Sequence, residues 1–126
     1  MQFEIIKELK QNFPNVIIPT FSDSYANDNL KDGDEYWACA YDTNSTEKGM
    51  GYIQKPIFGI IKKEGRLFVF YPYNKKGLIS KSKKVNVSSR IFSNNEKESK
   101  EIYNFLVDKQ IELLETLLNK TKNDKI

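Results

Sequence analysis

The stretch that decides the fold is residues 57–71, which read IFGIIKKEGRLFVFY. It contains two runs typical of β-strands, Ile57 to Lys63 and Arg66 to Tyr71, separated by Glu64-Gly65. A two-residue link that contains glycine predicts a β-hairpin, because glycine accepts the backbone angles that a tight turn requires. Apolar residues occupy both faces of the second run, and this pattern favours a central strand.

Upstream of the hairpin, three segments are also expected in the sheet. Tyr36 to Tyr41 alternates, so Trp37 and Cys39 lie on one face and the alanines on the other. Lys55-Pro56 is expected to begin the strand that enters the hairpin, since proline is tolerated at the first position of a strand. Val16 to Ile18 predicts a further short strand.

Downstream of the hairpin, Lys84 to Phe92 alternates between apolar and polar residues. The pattern predicts a single strand with one face in the core and one in water. Lys84 and Arg90 would then share the solvent face of that strand, about 20 Å apart.

A short helix is predicted before the sheet. Phe3 to Phe13 places apolar residues, including Ile6 and Leu9, at the three- and four-residue spacings of one helical stripe. Pro14 cannot continue that helix, because it lacks the backbone N–H and its ring clashes with the preceding turn.

A long helix is predicted after the sheet. Ser93 and Glu96 have the spacing of a capping box, and the helix is expected to run to about Asn119. Its apolar band is wider than one packing face needs, which indicates a second partner for the helix. One candidate for a dimer seam follows an approximate heptad spacing, with packing inside the chain as the favoured alternative: Tyr103, Leu106, Gln110, Leu113 and Leu117.

Together these segments predict one α+β domain over residues 1–126. Its expected parts are a helix over 1–13, an antiparallel sheet over 35–92, a helix over 94–119 and a frayed tail over 120–126. The sheet should be curved, with four or five strands. A small SH3-like barrel is one specific version of this architecture.

Charge is segregated along the chain. Residues 1–54 carry a net charge of −5, residues 55–90 carry +9, and residues 91–126 carry −1. The cationic middle also contains most of the strand-forming aromatic residues, so we expect a basic and aromatic sheet face that binds an anionic partner. The predicted binding surface consists of Lys62, Lys63, Arg66, Tyr71, Tyr73, Lys75, Lys76, Lys81, Lys83, Lys84 and Arg90.

An alternative interpretation of these lysines is a solvated sheet edge that discourages pairing between molecules. The chain has 18 lysines and 2 arginines. Base-specific recognition of DNA relies on the rigid fork of arginine, so any nucleic-acid binding should be electrostatic and sensitive to salt.

The sequence lacks the side chains of the common enzyme classes. There is no histidine, and therefore no usual general base near neutral pH and no usual activator of a serine or cysteine nucleophile. Cys39 is the single cysteine and is expected to be a small buried core residue. We predict that the protein is not an enzyme and that it holds no cofactor or metal.

One acidic loop is a candidate divalent-cation site: Asp28, Asp32, Asp34 and Glu35. The calcium-loop spacing fails, because Leu30 and Cys39 occupy the third and twelfth positions counted from Asp28. A solvated acidic loop is the favoured interpretation.

The run Ser-Arg-Ile-Phe-Ser from Ser89, followed by an acidic helix start and by Tyr103 to Val107, resembles small uncharacterised proteins of phages and mobile elements in low-GC Gram-positive bacteria. The resemblance covers about a fifth of the chain and transfers no site residues. It implies a small host-modulating protein of the inhibitor type.

These observations predict a non-enzymatic binding protein whose partner is another protein, acidic or engaged in handling nucleic acid. The alternative is a small barrel that binds nucleic acid without sequence preference. An acid-bearing, amphipathic N-terminus and the lone cysteine predict a cytoplasmic protein with no membrane association. A monomer, or a weak dimer through the last helix, is expected.

Overall fold

The computed structural model describes residues 3–19, 30–41, 53–87 and 90–125. In the chain, one helix precedes and one helix follows a five-stranded antiparallel sheet, which confirms the predicted α+β class. In chain order the elements are α1 (Phe3–Asn12), β1 (Glu35–Tyr41), β2 (Ile53–Glu64), β3 (Leu67–Pro72), β4 (Val85–Asn86), β5 (Arg90–Ser93) and α2 (Glu96–Asn123). A 3-10 turn (Lys81–Lys83) precedes β4.

The sheet has the strand order β4-β3-β2-β1-β5 and curls into a half-barrel. The predicted single strand from Lys84 to Phe92 is therefore wrong: it is divided into β4 and β5, which lie at opposite edges. In a flat sheet those edges would be about 19 Å apart. Four backbone steps from Asn86 to Arg90 reach at most about 15 Å, so the connection requires the curl. Lys84 and Arg90 consequently share no strand face.

The edge formed by β5 is extended by one residue of the N-terminal segment. Ile17 and Phe92 exchange two backbone hydrogen bonds, of 3.0 and 2.9 Å. The short strand predicted over Val16 to Ile18 is thus a single bridge.

The central hairpin forms as predicted, with its turn one residue later. Glu64 pairs with Leu67, so Gly65 and Arg66 occupy the two turn positions. Gly65 has φ of +62°, and all residues with positive φ in the described ranges are glycines. A positive angle at the first turn position alone is the geometry of a type II′ turn.

Strand β2 begins at Ile53, before the predicted start at Lys55-Pro56. The pairing with β1 shifts at this point, because Ala38 faces Ile57 whereas Ala40 faces Gln54. Two residues of β2, including Pro56, therefore oppose Cys39 in a β-bulge. A bulge is one of the few places in a sheet that accept proline.

The two faces of the sheet bury separate clusters. The rings of Phe70 and Phe92 lie 5.4 Å apart although β3 and β5 are separated by two strands, so they face the inside of the curl. Cys39 belongs to the other cluster, against the helices, and its predicted burial is confirmed at 0% exposure. The inner cluster contains Leu30, Ala38, Ile61, Phe68, Phe70, Val87 and Phe92; the helix-covered cluster contains Ile5, Leu9, Cys39, Ile53, Ile91, Ile102 and Leu106.

The two helices contact each other in antiparallel orientation. Phe13 packs edge-on against Phe105 with ring centroids 6.2 Å apart, and Glu8 forms an ion pair of 2.7 Å with Lys109. The core side of α1 is centred on buried Ile5 and Leu9, with Ile6 half-buried, so the stripe is rotated from the predicted one.

Helix α2 begins two residues later than a cap at Ser93 would place it. Asn95 is the N-cap, and its side chain accepts a hydrogen bond of 2.7 Å from the backbone N–H of Glu98. The hydroxyl of Ser93 donates to Oε1 of Glu98 instead, also at 2.7 Å. At the other end, Lys120 to Asn123 is helical, so the predicted frayed tail starts too early.

The heptad seam proposed for α2 faces the protein itself. Leu106 is fully buried, and the other four positions are half-buried. Neither helix of the described ranges has the length and apolar character needed to cross a bilayer.

Candidate binding surface

Basic side chains surround β3 and its neighbours. They occupy the end of β2 and the β2–β3 turn at one end of β3, the turn at 74–77 at its other end, and the 3-10 turn with the following residue along its edge. Six residues of β3 span about 20 Å, which sets the length of this surface. All are exposed except Lys62, which is half-buried, and we call this set the basic surface: Lys62, Lys63, Arg66, Lys75, Lys76, Lys81, Lys83 and Lys84.

Within the described ranges, few carboxylates border the basic surface. Lys84 Nζ lies 3.4 Å from Glu64 Oε2. Within the described ranges, this is the only ion pair that a residue of the basic surface makes. Asp32 Oδ1 accepts a hydrogen bond of 2.7 Å from the backbone N–H of Lys63. A third carboxylate, that of Glu35, borders the depression described below. The surface therefore keeps a clear excess of positive charge, which attracts an anionic partner over a Debye length.

Two residues predicted for this surface do not contribute to it. Tyr71 is only 8% exposed, because it lies on β3 between β2 and β4, where five of the six strand residues are buried. Arg90 is half-buried on β5, at the opposite edge of the sheet, where it pairs with Ala40. Alternation along a strand shows which residues share a face, but it does not reveal which edge of the sheet a strand occupies.

A row of three aromatic rings crosses the helix-covered side of the sheet. Trp37 faces Phe58 across β1 and β2, with ring centroids 5.2 Å apart, and Phe58 lies 5.5 Å from Tyr73. The rings are tilted by 41° and 38°, and all three side chains are half-buried. This aromatic row gives a rigid apolar floor close to the basic surface.

An open depression of about 480 Å³ lies at the Tyr73 end of the aromatic row. Lys75 belongs to both the depression and the basic surface. Burial raises the pKa of Tyr73, and a hydrogen bond to the Glu35 carboxylate adds to the shift. The lining comprises Glu35, Phe58, Tyr73, Asn74, Lys75 and Gly77.

The turn that closes the depression is held by Asn74. Its side-chain oxygen accepts hydrogen bonds of 2.9 and 3.1 Å from the backbone N–H groups of Lys76 and Leu78. Gly77 adopts a φ of +76°, a conformation that glycine takes without strain. Hydrogen bonds within the turn itself therefore fix its backbone.

The environment of Cys39 does not support nucleophilic chemistry. Burial raises the pKa of this thiol to about 12, against smaller lowering effects of a backbone hydrogen bond and the charge of Arg90. A thiol with this pKa carries almost no thiolate near neutral pH.

The acidic loop contributes structural hydrogen bonds. Asp32 bonds to the backbone of the hairpin, as described above, and the hydroxyl of Tyr36 donates to Asp34 Oδ2 at 3.3 Å. Burial, followed by the charge of Asp34, raises the pKa of Tyr36. In the part of the chain that the structure describes, no cluster of metal-ligating side chains is found; Asp28 lies outside that part.

Sequence reasoning missed Trp37 and Phe58 as members of the site. Each lies on a strand that was predicted, but their contact depends on the register between β1 and β2, which the bulge at Pro56 alters. The sequence does show aromatic residues on neighbouring predicted strands. It does not show the strand register that makes two of these rings adjacent.

Comparison with protein-family models, with curated proteins and with solved structures finds no match for the chain. The resemblance to small phage and mobile-element proteins stays a prediction.

Proposed function

We propose that the protein is a non-enzymatic interaction module that binds an acidic surface of another protein, in the manner of a small inhibitor. The observation that carries this proposal is the arrangement of eight basic side chains around β3 with few carboxylates between them. Such a surface increases the rate of association with an acidic partner and disfavours the binding of basic partners.

The layout favours a protein over nucleic acid. The cations lie at both ends of β3 and along its edge, and consecutive Lys62 and Lys63 of β2 point to opposite faces of the sheet, so the cations do not line a single channel for a phosphate backbone. The length of about 20 Å that β3 sets is comparable to one side of a standard interface, which buries roughly 800 Å² per partner. Seven of the eight are lysines, which tolerate the varied carboxylate geometry of a protein surface.

Anchoring would come from the aromatic row. Tyrosine and tryptophan dominate the energetically important positions of protein interfaces, where they fill desolvated pockets. Tyr73 and the neighbouring depression offer such a position beside Lys75.

A second candidate function is binding of single-stranded nucleic acid without sequence preference. The specific observation in its favour is the aromatic row, since its partly exposed rings can stack on bases of any type and Tyr73 lies beside Lys75. In this case the affinity should fall steeply with salt.

The test compares two variants with the same change in charge. In one, Lys75, Lys81 and Lys83 of the basic surface are replaced by Glu; in the control, exposed lysines of the helices are replaced: Lys7, Lys10 and Lys97. Wild type and both variants are used for affinity capture from cell extract, with and without nuclease, and for titration with labelled single-stranded and duplex DNA and RNA.

If the partner is a protein, we expect the wild type to capture it with and without nuclease treatment. The basic-surface variant should fail to capture it, and the control variant should capture it as the wild type does. Binding to oligonucleotides that weakens at least about tenfold between 50 and 200 mM salt, with capture abolished by nuclease, would instead establish the second candidate. Equal behaviour of the two variants would refute a role for the basic surface in either function.

A further inference from the structure

The depression at the Tyr73 end of the aromatic row has groups of opposite charge in its lining. Glu35 belongs to β1 and Lys75 follows β3, so β2 lies between the strands that carry them. Two strand spacings amount to about 10 Å, and Phe58 of β2 occupies the middle with Tyr73 beside it. A ligand that crosses the depression therefore meets a carboxylate on one side, aromatic rings in the middle and an ammonium group on the other side.

The Glu35 carboxylate has acceptor capacity to spare. It accepts a hydrogen bond from the Tyr73 hydroxyl, which adds to the raised pKa of Tyr73. A carboxylate offers about four acceptor positions, and the side chain of Glu35 is exposed. This side of the depression therefore favours an occupant that carries an N–H or O–H donor.

The Lys75 side combines positive charge with an exposed apolar side chain. Leu78 directly follows Gly77 of the lining, and its backbone N–H donates to the side chain of Asn74. It is 62% exposed, and Lys75 and Lys76 precede it in the same turn. The exposed large apolar residues of the described ranges are Leu78, Ile111, Leu114 and Leu118, of which the last three lie on α2. An apolar side chain among cations suits a partner segment in which apolar and acidic residues alternate.

The depression has room for a ring but is too open to enclose a free small molecule. A cavity of about 150 Å³ holds benzene, and this depression measures about 480 Å³. Small-molecule pockets bury most of the ligand surface, whereas the depression is open to solvent. A ring bound here needs further contacts, and a protein segment makes them with the basic surface alongside.

We propose that the depression receives a tyrosine side chain of the partner, flanked in the partner's sequence by aspartate or glutamate. The ring packs on Phe58 and Tyr73, its hydroxyl donates to Glu35, and a flanking carboxylate pairs with Lys75. A phenol places its donor at the end of the ring farthest from the backbone, so the backbone stays beside the lysines while the hydroxyl reaches across. This inference rests on the proposed function, because it specifies which part of an acidic protein the module contacts.

Three blocked pentapeptides test the proposal, each with one central residue between two pairs of glutamates. The central residue is tyrosine, phenylalanine or alanine. Binding to the full chain is followed by amide NMR up to about 5 mM peptide, because a contact of this size corresponds to a dissociation constant on the order of 10⁻³ M. We expect the tyrosine peptide to shift the amides of Lys75 and Gly77, and to bind at least about threefold tighter than the phenylalanine peptide and about tenfold tighter than the alanine peptide.

Three substitutions at exposed side chains assign the contacts. Glu35→Gln should remove most of the difference between the tyrosine and phenylalanine peptides, since a neutral acceptor forms the weaker hydrogen bond. Lys75→Glu should weaken the tyrosine peptide at least about three times as much as Lys76→Glu. The second lysine variant is the matched control, because Lys76 is the next residue in the turn and lies outside the lining.

Equal affinities of the three peptides, or no amide shift at the highest concentration, overturn the proposal. Equal weakening by the two lysine variants also overturns it and leaves the basic surface as an electrostatic patch without a ring site. Oligothymidylate that displaces the tyrosine peptide and binds more tightly would assign the depression to a nucleic-acid base instead. Failure of the proposed function is a separate result, because it is measured by capture with the triple lysine variant and not with these peptides.

Discussion

Two buried serines at the junction of β5 and α2 should respond to the same substitution with opposite changes in stability. Ser99 is 0% exposed, and within the described ranges its hydroxyl has no hydrogen-bond partner. Ser93 is 1% exposed, and its hydroxyl donates to the Glu98 carboxylate at 2.7 Å. We expect Ser99→Ala to stabilise the protein and Ser93→Ala to destabilise it.

The magnitudes follow from these environments. A buried hydroxyl without a partner costs about 1–3 kcal/mol in desolvation, and alanine adds about 0.5 kcal/mol of helix propensity over serine. Loss of one buried atom costs about 0.5 kcal/mol and cancels the propensity gain, so Ser99→Ala should raise the free energy of unfolding by about 1–3 kcal/mol. Ser93→Ala removes a hydrogen bond to a charged group and should lower it by about 1.5–3 kcal/mol.

Urea denaturation of both variants measures these free energies, provided that the slope with urea concentration is unchanged. Glu98→Gln supplies the matched background, because Ser93→Ala should cost less there if the serine acts through the Glu98 carboxylate. A destabilising Ser99→Ala, or the same sign in both serine variants, would refute the reasoning.

Three further predictions concern other parts of the fold. A Cβ at Gly59 would lie 2.5 Å from the Phe70 ring and closer still to the backbone of β3, so Gly59→Ala should lower the free energy of unfolding by about 3 kcal/mol or more in the same denaturation assay; a change below about 1 kcal/mol would contradict this packing. Burial raises the pKa of Cys39 from 9.0 to about 12, so above pH 9 the unfolded chain releases a proton that the folded chain keeps. Wild-type stability should therefore fall by about 1.4 kcal/mol per pH unit more steeply than that of Cys39→Ala between pH 9 and 11, and parallel curves would exclude this linkage. Glu8→Gln removes the ion pair with Lys109, whose pKa is raised chiefly by the hydrogen bond to Glu8; because both groups are partly exposed, the cost should stay below about 1 kcal/mol and should shrink in 1 M salt.

The elements of this fold were predictable where a local pattern determines them. The hairpin over residues 57–71 combines period-two alternation with a glycine turn, and both signals act within a few residues. The two terminal helices are similarly local: α1 ends one residue before the predicted Phe13, whereas α2 starts two residues later than predicted and extends four residues beyond Asn119. At the start of α2, Ser93 and Asn95 are both good N-cap residues, and each is followed by a glutamate three residues later. The hydroxyl of buried Ser93 is engaged with the Glu98 carboxylate, and Asn95 caps the helix.

The parts that failed depend on pairing over long distances. Lys84 to Phe92 has the alternation of one strand, yet it serves two edges of the sheet because the curl brings those edges within reach of a short connection. The alternation of those nine residues does not indicate that they divide between two strands. The same limit removed Arg90 from the binding surface and hid the contact between Trp37 and Phe58.

The lysines beside β4 admit two roles that differ in their dependence on charge sign. β4 is an edge strand of only two residues, and flanking charges of either sign discourage another strand from pairing with it. Docking on an acidic partner requires positive charge. Lysine-to-glutamate changes at Lys81 and Lys83 therefore separate the roles: edge protection survives them and the chain stays monodisperse at low concentration, whereas partner binding is lost. If the variant retains its partner, the lysines protect an edge and the binding surface has to be sought among the aromatic row and the exposed side of α2.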